Sequence, residues 1–357
     1  MGPRGRSPAH RRKWRRHQRR GREALRLQSA DAEVSWRHRC GRHSRQGPAC
    51  QPPDPRRTCP LATREKASRS MTVALLGTGL LGRAIAERLQ SVGHTVTVYN
   101  RTVAKALPLQ ACGITVVTRP EQAIYQADCV VLMLADAAAI RAVLLTQASS
   151  AVLRGKTVIQ MGTIAQEESL ALQAEIERFG GLYCEAPVLG SLAEAQAGTL
   201  FVMVGGTEGQ FVQWGPLFRS LSREPRLVGP VGQAASLKLA LNQLIAVEMS
   251  GFALSLGVVQ RAGIPVDTFM AILRESALFA PMFEKKLPRL LMRDYQHPNF
   301  STRHLLKDVE LFLKEASGYA LTSSSLEGIR PVLERTIAQG LGDSDYSAIF
   351  EIINPTP

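Results

Sequence analysis

The chain has 357 residues, 45% of them hydrophobic and 21% charged, which is enough apolar material for a sizeable folded core. Its net charge of +14 sits at one end: residues 1–70 hold 20 Lys and Arg against 5 Asp and Glu, and the remainder holds 24 against 25. The near-neutral body argues against a generally nucleic-acid-binding globule. The lack of about 18 uninterrupted apolar residues argues against a membrane span.

Residues 1–70 are rich in Arg, His, Pro, Ser and Gly, and His10 to Arg22 is a like-charge block that repels itself. The segment reads as a basic disordered or non-native extension, with synthesis starting at Met71. Glu23, Asp31, Glu33, Asp54 and Glu65, and the missing apolar h-region, weaken an organellar targeting reading, so a cytoplasmic location is expected. A nucleic-acid-binding arm stays open on charge alone. Cys40, His43, Cys50 and Cys59 contain no CxxC-type pair, and no metal site is expected. Cys112, Cys129 and Cys184 stand in apolar or strand-like surroundings without pairing spacing, as in a reducing compartment.

From Met71 the pattern becomes ordered. Thr72 to Leu76 reads as a buried parallel strand running into Gly77-Thr78-Gly79-Leu80-Leu81-Gly82, and Leu81, Ile85 and Leu89 are spaced as a helix. A strand, a glycine turn and a helix form the context in which GxGxxG signals a dinucleotide. Gly77 permits the tight turn, Gly79 lets a pyrophosphate approach the backbone, and Gly82 lets the helix pack on the strand.

The second strand, Thr95 to Tyr99, ends in Asn100-Arg101-Thr102. A carboxylate there would hydrogen-bond the ribose 2′-OH of NAD; Arg101 instead offers a guanidinium to a 2′-phosphate, so NADP(H) is expected. Strands follow over 114–117, 129–134, 157–160, 182–185 and 200–204, with helices over 120–126, 166–178 and around 209–221. Leu134 ends the fourth strand where a loop can pass under the cofactor. The alternation predicts a doubly wound parallel sheet of Rossmann type over 71–230. After Gly229-Pro230-Val231-Gly232 the periodicity is helical, with a long helix from Ala234 to about Ala262. An all-helical C-terminal domain over 231–357 is expected, carrying substrate and dimer contacts.

These residues resemble the β-hydroxyacid dehydrogenase family, and the resemblance covers essentially all of 71–357. Its marks are the Gly77–Gly82 turn, Glu185-Ala186-Pro187-Val188-Leu189-Gly190-Ser191, the Gly229–Gly232 turn followed by Lys238 and Asn242, and Lys307-Asp308. Asn100-Arg101-Thr102, Pro281-Met282-Phe283 and the segment from Gly340 resemble most the glyoxylate and succinic semialdehyde reductase branch of the 3-hydroxyisobutyrate-dehydrogenase relatives. The resemblance implies hydride transfer to a small aldehyde acid, with Lys238 as proton donor and Asn242 beside it. It also implies that Thr163, Gly190, Ser191 and Asp308 meet the substrate, that Thr163 and Lys307 flank the nicotinamide, and that the protein is a homodimer or homotetramer. Read physically, Lys238 and Asn242 are four apart and share one helix face, and a lysine inside an apolar helix is costly without a task.

Two departures bear on the substrate: Leu189 stands where the family commonly has Ser, and Gln160-Met161-Gly162-Thr163 replaces an Asp-Met-Ser-Thr loop. Two alternatives remain open. One is a non-catalytic NADP-binding module whose tail docks on nucleic acid; the other is an imine reductase. Lys238 argues against the first, and the second would more naturally use a different proton donor.

Overall fold

Strand β1 (Thr72–Leu76) alternates its side chains between two cores, Val73 and Leu75 facing one and Ala74 and Leu76 the other. A strand buried on both faces reads as an unbroken apolar run, which is why no polar residue interrupts it. The computed structural model describes residues 70–356. The readings made for residues 1–69, including the Cys40, His43, Cys50 and Cys59 set, lie outside the described residues.

After β1 come helix α1 (Leu80–Ser91), β2 (Thr95–Tyr99), β3 (Thr115–Val117), α2 (Pro120–Gln126), β4 (Cys129–Leu132), α3 (Ala137–Leu144), α4 (Gln147–Ala151), β5 (Thr157–Gln160), α5 (Gln166–Arg178) and β6 (Leu182–Glu185). These strands pair in parallel in the order β3-β2-β1-β4-β5-β6. This is the dinucleotide-binding order, with its direction of travel reversing between β1 and β4. The carboxyl ends of β1, β2, β4 and β5 therefore converge on one edge, and the turns at Gly77, Asn100, Met133 and Met161 lie there.

The sheet is extended by β7 (Val188–Leu189), α6 (Leu192–Ala197), β8 (Phe201–Gly205), α7 (Glu208–Leu221) and β9 (Arg226–Gly229). Here it departs from a purely parallel design. Strand β8 runs antiparallel to β6 and β7, and β9 lies parallel to β8. Two strands are absent from the sequence reading: β7 holds only two residues, and β9 opens on a charged Arg226 and closes on Gly229, leaving only Leu227 and Val228 as an apolar signal.

Helix α8 (Gln233–Arg261) begins the helical half. It is long and apolar enough to cross a bilayer by length and composition. However, its Lys238, Asn242, Ala246, Met249, Ala253 and Leu256 face is buried, as in the core helix of a folded domain. Helices α9 (Val266–Glu275), α10 (Pro281–Met292), α11 (Thr302–Gly318), α12 (Ser324–Glu327), α13 (Arg330–Thr336) and α14 (Phe350–Ile353) complete it. Met249, Phe252, Leu305, Val309, Leu333 and Phe350 form the centre of this second core. The sheet and the helices of the described residues belong to one compact unit.

Candidate active site

The glycine turn is shaped by what surrounds it. Gly77 has φ +104°, and a Cβ there would lie 2.4 Å from the Met133 carbonyl oxygen, so only glycine fits. A Cβ at Gly79 would meet nothing within 4 Å. The backbone is thus open to an approaching group where the sequence places a pyrophosphate. Helix α1 starts at Gly79 with no side-chain cap and no acidic residue in its first turn, leaving N–H groups and the positive end of the helix dipole for an anion. The Thr78 hydroxyl is buried without a hydrogen-bond partner among the described residues. The Thr78 N–H donates to Asn100 Oδ1 at 3.0 Å, and Asn100 Nδ2 donates to the Thr102 carbonyl at 2.9 Å. Asn100 therefore ties the end of β2 to the turn, while Arg101 and Thr102 are exposed beside it. Leu80 is exposed and Leu81 packs on the core. These features fit a nicotinamide dinucleotide: an open turn, an uncapped helix start and an orphaned hydroxyl.

A second cluster is assembled from the helical half. Lys238 Nζ donates to Asn242 Oδ1 at 2.8 Å, and Asn242 Nδ2 donates to Asp308 Oδ2 at 2.7 Å. All three residues are buried. Asp308 Oδ1 lies 3.1 Å from Lys307 Nζ without hydrogen-bond alignment. Lys307 reaches across from α11 to donate to the carbonyls of Ala135 (2.9 Å) and Thr163 (2.7 Å), the loops that follow β4 and β5. Burial lowers the Lys238 ammonium to about 8; the Asp308 carboxylate opposes that shift and the Lys307 charge adds to it. The arrangement is a buried amine near neutrality, aimed by an amide whose own orientation is fixed by a carboxylate.

The start of α8, one turn before Lys238, is anchored by Glu185 at the end of β6. Its Oε1 accepts from the N–H groups of Gly232, Ala234 and Ala235 at 2.8, 2.8 and 3.1 Å, and its Oε2 accepts from Ser169 Oγ at 2.6 Å. A carboxylate is thereby seated on the first turn of α8, one turn before Lys238. The residue was visible only as part of a motif, because its partners lie 47 to 50 positions away and leave no local pattern.

The remaining residues fall into two groups. Thr163 is half-buried and offers its carbonyl to Lys307. Leu134 borders both loops: its side chain lies 3.1 Å from the Cβ position of Gly77, and its carbonyl lies 2.6 Å from that of Gly162. A side chain at 162 would strike that carbonyl, so the hydroxyl missing from this loop belongs to its backbone path. Gln160 closes the same loop on itself, accepting from the Gly162 N–H and donating to its carbonyl. Gly190 and Ser191, by contrast, have no hydrogen bond to the Lys238 cluster among the described residues. The Ser191 hydroxyl and N–H are both engaged by Glu194, which they hold down to about 2. Asp308 lies behind Asn242, where it braces the amide. Among the described residues no group of three or more His, Cys, Asp or Glu could hold a metal ion.

Comparison with known proteins follows these boundaries. Residues 72–231 match the NAD binding domain of 6-phosphogluconate dehydrogenase, and residues 232–353 match the NAD-binding domain of NADP-dependent 3-hydroxyisobutyrate dehydrogenase. The chain is 31% identical over 285 residues to glyoxylate/succinic semialdehyde reductase 1 of Arabidopsis thaliana, covering 79% of this chain and 98% of that protein. The chain belongs to the β-hydroxyacid dehydrogenase family. Its fold is also that of a 3-hydroxyisobutyrate dehydrogenase from Salmonella typhimurium (TM-score 0.72, 22% identity, 78% of this chain and 99% of that one). A further relative is the cytokine-like nuclear factor N-PAC of Drosophila melanogaster, 26% identical over 293 residues, which cover 81% of this chain but 48% of that protein. As a β-hydroxyacid dehydrogenase, the chain pairs a Rossmann half that takes a nicotinamide dinucleotide with a helical half that carries the buried lysine.

Proposed function

We propose that this β-hydroxyacid dehydrogenase is an NADPH-dependent reductase of small aldehyde acids, of the glyoxylate, succinic semialdehyde or 3-hydroxyisobutyrate type. The observation that carries the reading is the buried Lys238 amine, brought to about 8 and oriented by Asn242 at 2.8 Å. An amine with that proton affinity gives up its proton readily at physiological pH. When bound, the nicotinamide supplies the hydride. Lys238 Nζ donates the proton to the carbonyl oxygen of the aldehyde, and Asn242 keeps the ammonium aimed. Lys307 draws the loops at Ala135 and Thr163 towards the helical half and so shields the nicotinamide side from water. Thr163 and the Gly190 backbone meet the substrate carboxylate. Ser191 could join them only by leaving Glu194.

Arg101 is assigned to the 2′-phosphate of NADPH because it is exposed at the end of β2, and no carboxylate follows that strand. We take the working form to be a cytoplasmic homo-oligomer. A second reading, a cofactor-binding module without turnover whose basic residues 1–70 dock on nucleic acid, rests on the charge of that segment and on similarity to a protein named a nuclear factor.

The test is NADPH oxidation by the full chain with glyoxylate, succinic semialdehyde, methylmalonate semialdehyde and tartronate semialdehyde, and in parallel with cyclic imines. Turnover with one of them supports the reductase. Turnover with cyclic imines alone assigns an imine reductase. Cofactor binding without any turnover assigns the non-catalytic module.

A further inference from the structure

Helix α11 presents to the active-site cleft a titratable side chain that plays no part in proton transfer. His304, Lys307 and Asp308 stand three and four residues apart and share one face of the helix. That face is fixed at two points: Asp308 receives Asn242 from α8, and Lys307 crosses to the loops after β4 and β5. It therefore looks into the cleft between the two halves, and His304 stands at the open end, exposed, one turn before Asp308. The ring is held in place. Ser301 caps α11 by accepting the His304 N–H at 3.4 Å, and its Oγ lies 2.6 Å from His304 Nδ1. The Ser301 hydroxyl has no other acceptor among the described residues, so its proton goes to Nδ1. The neutral imidazole then carries its own proton on Nε2, and Nε2 has no hydrogen-bond partner among the described residues. Phe300 stacks against the ring with centroids 6.4 Å apart and packs in turn on Tyr346.

We infer that His304 anchors the substrate carboxylate from the helical side, opposite the Thr163 hydroxyl and the Gly190 backbone, and so selects aldehyde acids with methylene groups between aldehyde and carboxylate. This rests on the reductase reading for the aldehyde end and deepens it by choosing among its substrates. The other side-chain donors of the cleft are committed. Lys307 gives its ammonium to two carbonyls, Ser191 is engaged by Glu194, and Gly162 and Leu189 carry no hydroxyl. Lys238 is assigned to the carbonyl oxygen. A carboxylate has lone pairs for several donors, and the free Nε2–H of His304 supplies one from α11. Position sets the length of the substrate. Lys238 lies at the buried end of the cleft and His304 at the open end. Between them stand the Asn242 amide, with hydrogen bonds of 2.8 and 2.7 Å on its two sides, and one turn of α11, about 5.4 Å along the axis. Glyoxylate joins its carboxylate directly to the aldehyde carbon and cannot touch both groups. Succinic semialdehyde places two methylenes between them and has the longer reach that this separation needs.

The experiment compares glyoxylate with succinic semialdehyde in NADPH-dependent steady-state kinetics of the full chain, for wild type, His304→Phe and His304→Gln. Phenylalanine keeps a ring against Phe300 and removes both nitrogens; glutamine restores an N–H donor near the position of Nε2. Wild type is expected to show the higher kcat/KM with succinic semialdehyde. Loss of a hydrogen bond to a charged group in His304→Phe is expected to raise KM for succinic semialdehyde roughly ten- to a hundredfold. Its kcat should change little, and its preference over glyoxylate should narrow or invert. His304→Gln is expected to recover most of the lost KM. A wild type that prefers glyoxylate overturns the inference. So does a Phe variant whose KM moves by the same factor for both substrates or not at all, and so does a Gln variant no better than Phe. A second readout needs no turnover: calorimetric titration of the NADP+-loaded chain with 4-hydroxybutyrate, the alcohol of succinic semialdehyde, and with glycolate, the alcohol of glyoxylate. Tighter binding of 4-hydroxybutyrate, weakened roughly tenfold or more in His304→Phe, supports the anchor. Equal binding of the two alcohols, or binding of neither, overturns it. A chain that binds 4-hydroxybutyrate through His304 yet reduces none of the aldehydes contradicts the proposed reductase and leaves this anchor standing.

Discussion

Asn242 stands one helical turn beyond Lys238 and accepts its ammonium at 2.8 Å, and the opposite end of the same amide is held by Asp308 at 2.7 Å. An amide fixed at both ends presents its oxygen in one direction only, and so does the amine that donates to it. Asn242→Ala removes a hydrogen bond to a charged group, worth about 1.5–3 kcal/mol. The expected result is a roughly ten- to hundredfold fall in kcat, with KM for NADPH unchanged, measured by steady-state kinetics.

The pH profile follows from the same residues. Aldehyde reduction needs the protonated amine, so its rate is expected to fall as pH rises through about 8, while alcohol oxidation, which needs the neutral amine, rises over the same range. The Asp308 carboxylate favours the ammonium, so Asp308→Asn lowers the Lys238 pKa and moves the break to lower pH. The Lys307 charge disfavours it, so Lys307→Met moves the break to higher pH. Shifts of the same sign in the two variants would contradict the assignment of Lys238 as the titrating group.

Cofactor choice is expected to rest on Arg101. Loss of a charge-assisted contact to phosphate costs about 1.5–3 kcal/mol, so Arg101→Ala should raise KM for NADPH roughly ten- to a hundredfold and barely alter that for NADH. A wild type that already prefers NADH removes the role assigned to the end of β2.

Glu185 should matter for stability. Glu185→Ala leaves the buried N–H groups of Gly232, Ala234 and Ala235 without their acceptor. At about 1–3 kcal/mol per unsatisfied donor, a loss of at least about 3 kcal/mol is expected. For a chain of this size that is roughly 6 °C or more in Tm. Glu185→Gln keeps one oxygen for the helix and can donate to Ser169, so its loss should be much smaller. Differential scanning calorimetry of the two variants makes the comparison.

How much of this was legible in the sequence depends on the range of the interactions. The glycine turn, the end of β2, and the Lys238–Asn242 pair are local patterns, set by turn sterics and by the four-residue spacing of a helix, and they stand where the pattern put them. Glu185 and Asp308 act on residues far away in the chain, so their spacing carries no signal; only the fold brings a β6 carboxylate under α8 and an α11 carboxylate behind Asn242. Ser191 shows the converse. Its motif drew it towards the substrate, but Glu194 three residues on engages both its hydroxyl and its N–H. The strand at β8 is legible but its antiparallel direction is not, because an apolar run reads the same in either direction. The missing hydroxyl at Gly162 has a cause outside its own loop: a Cβ there would lie 2.6 Å from the Leu134 carbonyl oxygen.

The central claim is that Lys238 is the proton donor, and the most direct measurement is kcat for the best aldehyde acid with saturating NADPH, wild type against Lys238→Met at pH 7. General acid catalysis contributes about 10²–10⁴-fold, so a loss in that range is expected, with NADPH affinity by fluorescence titration unchanged. A Lys238→Met enzyme that retains kcat within about threefold of wild type would contradict the account.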